Sequence, residues 1–169
     1  ASDGTNSSTQ DITVNVTNVN ENTPSITSSA TFSAAENQTA IGTVTATDAD
    51  SDTIGFSLSG TDASSMSINS SSGLLTFNSA PDYETKSSYS ATVTASDGTN
   101  SSTQDITVTI TDVDDVAPVF TSNATFSAAE NQTSIGTVTA TDTDTDDSSI
   151  VFSVSGSELA ITSGGVLTF

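Results

Sequence analysis

Cysteine, histidine, arginine and tryptophan are all absent from this 169-residue chain, and Lys86 is its single basic residue. Without thiols there is no disulfide framework, and without imidazole or thiolate there is no zinc site of the usual kind. Nucleophilic catalysis and general-base chemistry near neutrality lose their ordinary side chains by the same omission. One lysine cannot displace the counterions of a phosphate backbone, so nucleic acid is excluded as a partner. No apolar run reaches ten residues, which leaves no membrane-inserting segment and no signal-peptide core. Aromatic residues make up 5% of the chain, too few for a sugar-binding platform. The carboxylate pair Asp82 and Glu84 therefore makes a poor glycosidase, and no enzyme is expected.

What the chain has is acid and hydroxyl. Twenty-one Asp and Glu give a formal net charge of −20, and Ser plus Thr account for close to two residues in five. Such a composition suits a solvated linker. However, 33% of the residues are hydrophobic, and they are placed in a pattern. A hard cation with oxygen ligands, calcium above all, fits the carboxylate excess.

The chain repeats itself. The stretch "ASDGTNSSTQDITV" occurs at 1–14 and at 95–108, and "ATFSAAENQT" at 30–39 and 124–133, both at a spacing of 94. "IGTVTATD" at 41–48 returns at 135–142, and "LLTF" at 74–77 is matched by "VLTF" at 166–169. A repeat of this length is one small domain. Residues 1–22 read as the last strand and linker of a preceding repeat, 23–116 as a complete repeat, and 117–169 as the first five strands of the next. This phase suggests a window on a longer tandem array, or an arrangement in which residues 1–22 of one chain complete the open repeat of another.

Within the unit, short runs alternate apolar and polar residues, the pattern of half-buried strands. The runs are 26–32; Ile41, Val44 and Ala46; Ile54, Phe56 and Leu58; Met66 and Ile68; Leu74, Leu75 and Phe77; Tyr89 to Ala95; and Ile106, Val108 and Ile110. Seven short strands in about ninety residues imply an all-β, seven-stranded Greek-key β-sandwich. Successive loops then alternate between two poles. Asp48, Asp50 and Asp97 fall at the upper pole, beside Asn20 and Asn22. Glu36, Asp82, Glu84, Asp112, Asp114 and Asp115 fall at the lower pole, facing Asp142 and Asp144 of the next unit. Eight carboxylates in one junction repel unless a counterion neutralises them, and three divalent cations would offset most of that charge.

These residues resemble the cadherin repeat. "AAENQTAIGTVTATDAD" is similar to that family's Glu-Asn, Gly-Thr and Asp-x-Asp run. "PDYETKSSYSATVTASDG" is similar to its Asp-x-Glu motif and Ala-x-Asp-Gly turn, and "TDVDDVAPVF" to its linker. The resemblance implies about three Ca2+ per complete junction. Glu36, Asp82, Glu84 and Asp115 would hold one ion. Glu36, Glu84, Asp112, Asp144 and the Val113 carbonyl would hold another, and Asp114, Asp142, Asp144 and the Val116 carbonyl the last. Asp97 would serve the upper junction, with Asn20, Asn22, Asp48 and Asp50. There Asn18 and Glu21 stand where the family carries Asp, so fewer ions and weaker binding are expected. The lack of cysteine and the near-identity of the repeats look like giant bacterial surface proteins.

The expected role is a calcium-stiffened adhesive or structural module, either the stalk of a cell-surface adhesin or an extracellular filament. Its partners would be neighbouring repeats, its own copies, or cell-surface glycans and proteins. A strand-donating filament subunit and a polysaccharide-binding module are the alternatives. "DADSDT" at 48–53 and "DTDTDD" at 142–147 resemble an EF-hand start, but Thr53 and Asp147 replace its glycine, and Ser59 and Ser153 its final glutamate. Seven Asn-x-Ser/Thr sequons (Asn6, Asn15, Asn37, Asn69, Asn100, Asn123 and Asn131) are what so much Ser and Thr produces by chance.

Overall fold

The computed structural model describes residues 1–144 and 149–169, so Asp147 of the EF-hand-like stretch lies outside the described residues. The complete unit is built from β1 (Ser25–Ile26), β2 (Thr31–Ala35), β3 (Ala40–Thr43), β4 (Ala46–Thr47), β5 (Gly55–Ser59), β6 (Met66–Ile68), β7 (Leu74–Phe77), β8 (Ser88–Ser96) and β9 (Ser101–Thr111). One sheet has the order β2-β9-β8-β5, and the other β3-β7-β6, with β1 paired to β4. The first strand of the sandwich is thus split. Its start pairs antiparallel with β4, and its continuation β2 crosses over to run parallel with β9, Phe32 opposite Val108.

Alternation decides which face is buried. Along β9, Ile106, Val108 and Ile110 turn inward while Asp105, Thr107 and Thr109 stay out. They meet Ala91 and Val93 of β8 and, across the sandwich, Val44, Met66, Leu75 and Phe77. The ring of Phe77 packs edge-on against Tyr89 at 4.9 Å between centroids. Gly73 holds the turn before β7 at φ +69°, and a Cβ there would lie 2.1 Å from the Val44 carbonyl oxygen. Lys86 pairs with Asp62 at 2.5 Å and lies 4.6 Å from the Tyr89 ring centroid. That pairs the single lysine with an acid outside the predicted ligand set.

The following unit reproduces half of this plan. Strands β10 (Val119–Phe120) and β12 (Ala140–Thr141) pair as β1 and β4 do, and β11 (Ser134–Thr137), β14 (Val166–Thr168) and β13 (Ala160–Ile161) repeat the three-stranded sheet. Even the ladder irregularity recurs, Gly136 opposite Leu167 where Gly42 faces Leu75. Residues 125–129 and 151–155, the counterparts of β2 and β5, carry no strand. In the complete unit those two strands pair only with β9 and β8, and residues 117–169 contain no sequence equivalent to either. Of the five strands expected in 117–169, the third therefore forms none, and the first only its short leading piece.

Residues 1–14 make the same point from the other side. Their sequence is that of β9 and its preceding turn, yet they form only a bridge between Ser2 and Ser7. The turn itself survives. Asp3 Oδ1 accepts the amides of Thr5 (2.9 Å) and Asn6 (2.6 Å), as Asp97 Oδ1 accepts those of Thr99 (2.7 Å) and Asn100 (2.6 Å). The strand does not survive. Ile12, Val14 and Val16 are 82%, 78% and 92% exposed, while their counterparts Ile106, Val108 and Ile110 are 2%, 0% and 2% exposed.

Candidate metal centre

The lower pole is organised by Glu36, which follows β2 and is only 2% exposed. A buried carboxylate needs partners, and it has two from different segments. Its Oε2 accepts the Tyr83 amide at 2.8 Å, and its Oε1 the Val113 amide at 2.7 Å. One side chain thus fastens the β7–β8 loop to the segment leaving β9. Carboxylate oxygens of Glu36, Glu84 and Asp115 all come within 4.8 Å of one another, with no cation side chain among them.

The other acids of the pole register that crowding. Desolvation, then the charges of Glu36, Asp112 and Asp82, push the Glu84 carboxyl above its ordinary range. Asp112 is raised likewise, by desolvation and by Glu36, Asp144 and Asp115. Asp82 is less available than the others. Its two oxygens accept the Thr85 hydroxyl (2.9 Å) and amide (3.0 Å), which hold its carboxyl low.

Asp144 reaches back from the second unit. Its Oδ2 accepts the amides of Asp115 (2.5 Å) and Val116 (2.6 Å), so it clasps the linker. The side-chain interaction of Asp142 with Asp144 raises Asp142 and lowers Asp144, with the Val116 and Asp115 amides adding to the lowering. Asp114 adds its charge to the rise at Asp142. The remaining oxygen of Asp144, Oδ1, is buried with no hydrogen-bond partner. Val113 and Val116 meet these acids through amides that donate.

The upper pole has the same frame with different chemistry. Asp50 Oδ2 accepts the Glu21 and Asn22 amides at 2.9 and 2.7 Å, matching Asp144. These amides, with the Asn22 side chain, hold the Asp50 carboxyl low. Here, however, Asn22 Nδ2 donates to Asp50 Oδ1 at 2.7 Å, filling the position that stays open on Asp144, where Val116 replaces Asn22. Asn18 Nδ2 donates to the Asp50 carbonyl at 2.9 Å, and Asn100 Nδ2 to Asn20 Oδ1 at 3.0 Å and the Asn22 carbonyl at 3.2 Å. At Asp97, desolvation is outweighed by the Asn100 and Thr99 amides, which lower its carboxyl.

Asp48, Asp50 and Asp52 also bring carboxylate oxygens within 4.8 Å of one another. Asp48 Oδ1 accepts the Asp50 amide at 2.8 Å, while Asp48 Oδ2 and Asp52 Oδ2 are buried and unpartnered. Desolvation, then Asp48, Asp50 and Asp97, raises the Asp52 carboxyl. Sequence reasoning left Asp52 out. The i, i+2, i+4 spacing of "DADSD" was its signal, discounted once the EF-hand pattern failed. Its counterpart in the second copy, Asp146, lies outside the described residues.

The all-oxygen donor sets and the orphaned oxygens on Asp144, Asp48 and Asp52 suit a hard divalent cation. Residues 28–111 match the family model of the cadherin domain.

The central unit is a cadherin domain.

Solved cadherin structures share this fold across most of the chain. Human protocadherin-24 EC1-2 superposes with a TM-score of 0.73 at 22% identity, covering 89% of this chain and 77% of that one. Mouse cadherin-23 EC22-24 gives 0.69 at 28% identity, covering 89% of this chain and 54% of that one. A protocadherin gammaB7 EC3-6 cis-dimer structure gives 0.70 at 25%, covering 93% and 44%. No curated protein matches the chain significantly in sequence. The cadherin fold is that of a structural adhesion domain rather than of an enzyme family. No helix among the described residues is long and apolar enough to cross a membrane.

Proposed function

We propose that this chain is a calcium-dependent extracellular module, stiffened where its cadherin-like repeats meet, and that it belongs to the stalk of a bacterial surface adhesin or filament. The observation that carries the calcium reading is the lower pole. Three carboxylates from the end of β2, the β7–β8 loop and the segment after β9 converge within 4.8 Å, while the single lysine is paired with Asp62. Cadherin domains in general bind calcium at their junctions, which supports the same assignment.

Glu36, Glu84, Asp112 and Asp115 would hold the cation, with Asp144 adding its open Oδ1 from the second unit. The bound ion would neutralise like charges that otherwise push the segments apart. Because it binds the assembled junction and hardly the separated pieces, occupancy stabilises the extended arrangement by mass action. The upper junction answers part of the same need with the amides of Asn18, Asn22 and Asn100, and so takes up fewer ions. Its acids Asp48, Asp50 and Asp52, with Asp97, remain as its site.

Calorimetric titration of the calcium-free chain tests this. We expect Asp144→Asn to weaken the tighter class of sites and Asp50→Asn only the weaker class. Absence of calcium binding, or equal loss in the two variants, would refute the reading.

A further inference from the structure

The residue after Glu36 combines an unusual backbone with a bond that crosses the lower pole. Asn37 has φ +60°, in the left-handed region that few side chains adopt. Its backbone amide donates to the Pro81 carbonyl at 3.0 Å, and its Nδ2 donates to Asp115 Oδ2 at 2.5 Å. The Glu36 amide, one residue earlier, donates to the Thr111 carbonyl at 3.1 Å. With the Tyr83 and Val113 amides on the Glu36 carboxylate, two consecutive residues tie together the end of β9, the β7–β8 loop and the linker. The left-handed backbone recurs after Glu130, at Asn131 with φ +65°. It therefore belongs to the "AENQT" stretch that both units share.

Asp115 stands in the linker and not on a strand, so no sheet fixes its side chain. Its amide is committed to Asp144 Oδ2 at 2.5 Å. Its carboxylate meets those of Glu36 and Glu84 within 4.8 Å, and like charges at that range drive it away. We propose that Asn37 is a positioning residue for the cation site, holding the Asp115 carboxylate beside Glu36 and Glu84 through its side-chain amide. The inference rests on the calcium reading of the lower pole. A hydrogen bond to an ionised carboxylate is short and strong, and a partner of this kind behind a metal ligand is worth about 10–100-fold in affinity.

Two requirements select asparagine here. The position must adopt a left-handed backbone, which Gly, Asn and Asp do at least cost. It must also donate a hydrogen bond without bringing charge. Glycine has no donor, and aspartate would set one more carboxylate against Asp115. Lysine or arginine would donate, but would place a fixed cation where the ion is needed and would strain the backbone. Asparagine holds Asp115 and leaves its negative charge for the ion.

Calorimetric titration of calcium into the 169-residue chain, with melting in chelator alongside, tests this on two variants. Asn37→Gly removes the donor and leaves the backbone unstrained. Asn37→Ala removes the donor and strains the backbone as well. Both are expected to weaken the tighter class of sites by about 10–100-fold, while Asn37→Ala melts lower in chelator than Asn37→Gly. If only Asn37→Ala weakens binding, the residue serves through its backbone and the positioning role is overturned. Nuclear magnetic resonance in chelator gives a reading that needs no ion. The side-chain amide protons of Asn37 are expected to shift in Asp115→Asn, and an unmoved pair would overturn the contact. A chain that binds no calcium at all refutes the calcium reading and this inference together. Calcium binding that is indifferent to Asn37→Gly refutes this inference alone.

Discussion

Glu36→Gln separates what the lower pole owes to hydrogen bonding from what it owes to a cation. Without calcium, the variant keeps one oxygen for either the Tyr83 or the Val113 amide and turns an NH2 group toward the other. Losing one charge-assisted bond to a group this buried costs about 1.5–3 kcal/mol. Relief of repulsion on Glu84 and Asp112 offsets part of that. With calcium at about a hundred times its dissociation constant, the unaltered chain gains about 2.7 kcal/mol. In a unit of this size each kcal/mol moves the melting temperature by about 4–8 °C, so calcium should raise it by about 10–20 °C. The variant lacks the charged oxygen that reaches both linker and loop, and should keep less than half of that gain. Differential scanning calorimetry in chelator and in calcium reads both quantities. An equal calcium-induced rise in the variant and the unaltered chain would remove Glu36 from the site.

Acidification should act in opposite directions with and without the ion. Glu84, Asp112 and Asp142 have raised carboxyls in the folded chain, which therefore holds more protons than the unfolded one just above their ordinary values of 4.5, 3.8 and 3.8. In chelator the melting temperature is expected to rise as pH falls from neutrality toward that range. It should then drop below it, where Asp82 and Asp144, held low in the fold, lose their contribution. In calcium the rise should be replaced by a decline, because protons displace the cation. A melting temperature that follows the same pH course in both media would contradict the assignment. At the turn before β7, Gly73→Ala meets both a left-handed backbone and the Val44 oxygen at 2.1 Å. It should cost well over the about 1–2 kcal/mol of the backbone conformation alone. Gly98→Ala, at φ +93° with no atom near its Cβ, should cost only the backbone part, as urea denaturation of the two variants would show.

The strands of the complete unit were legible because alternation is written residue by residue. Ile106, Val108 and Ile110 fall on one face of a strand by their spacing alone. The poles were legible for a related reason, since strands that reverse at every loop assign each loop to an end. The partition of acids that follows puts Glu36, Glu84 and Asp115 at one pole. Asp82 shows the limit. It has the spacing of a ligand, while its two oxygens also accept the Thr85 amide and hydroxyl of its own turn, which spacing does not announce. Asp52 shows the converse, a residue of "DADSDT" outside the family-like motifs that brings a carboxylate oxygen within 4.8 Å of those of Asp48 and Asp50.

The same fourteen residues occur twice in this chain and end in two different states. In both copies the Asp-Gly turn forms, because its hydrogen bonds join residues two and three apart and any solvent will permit them. Only the second copy becomes a strand, because a strand's hydrogen bonds and its apolar cover come from elsewhere in the chain. Sequence alone therefore determined the turns, the alternation, the repeat and the supply of oxygen ligands. The tertiary structure decided which copy of "QDITV" is paired and buried. It also decided which aspartate has an amide on its second oxygen and which leaves it open, because those outcomes depend on a partner distant in the chain.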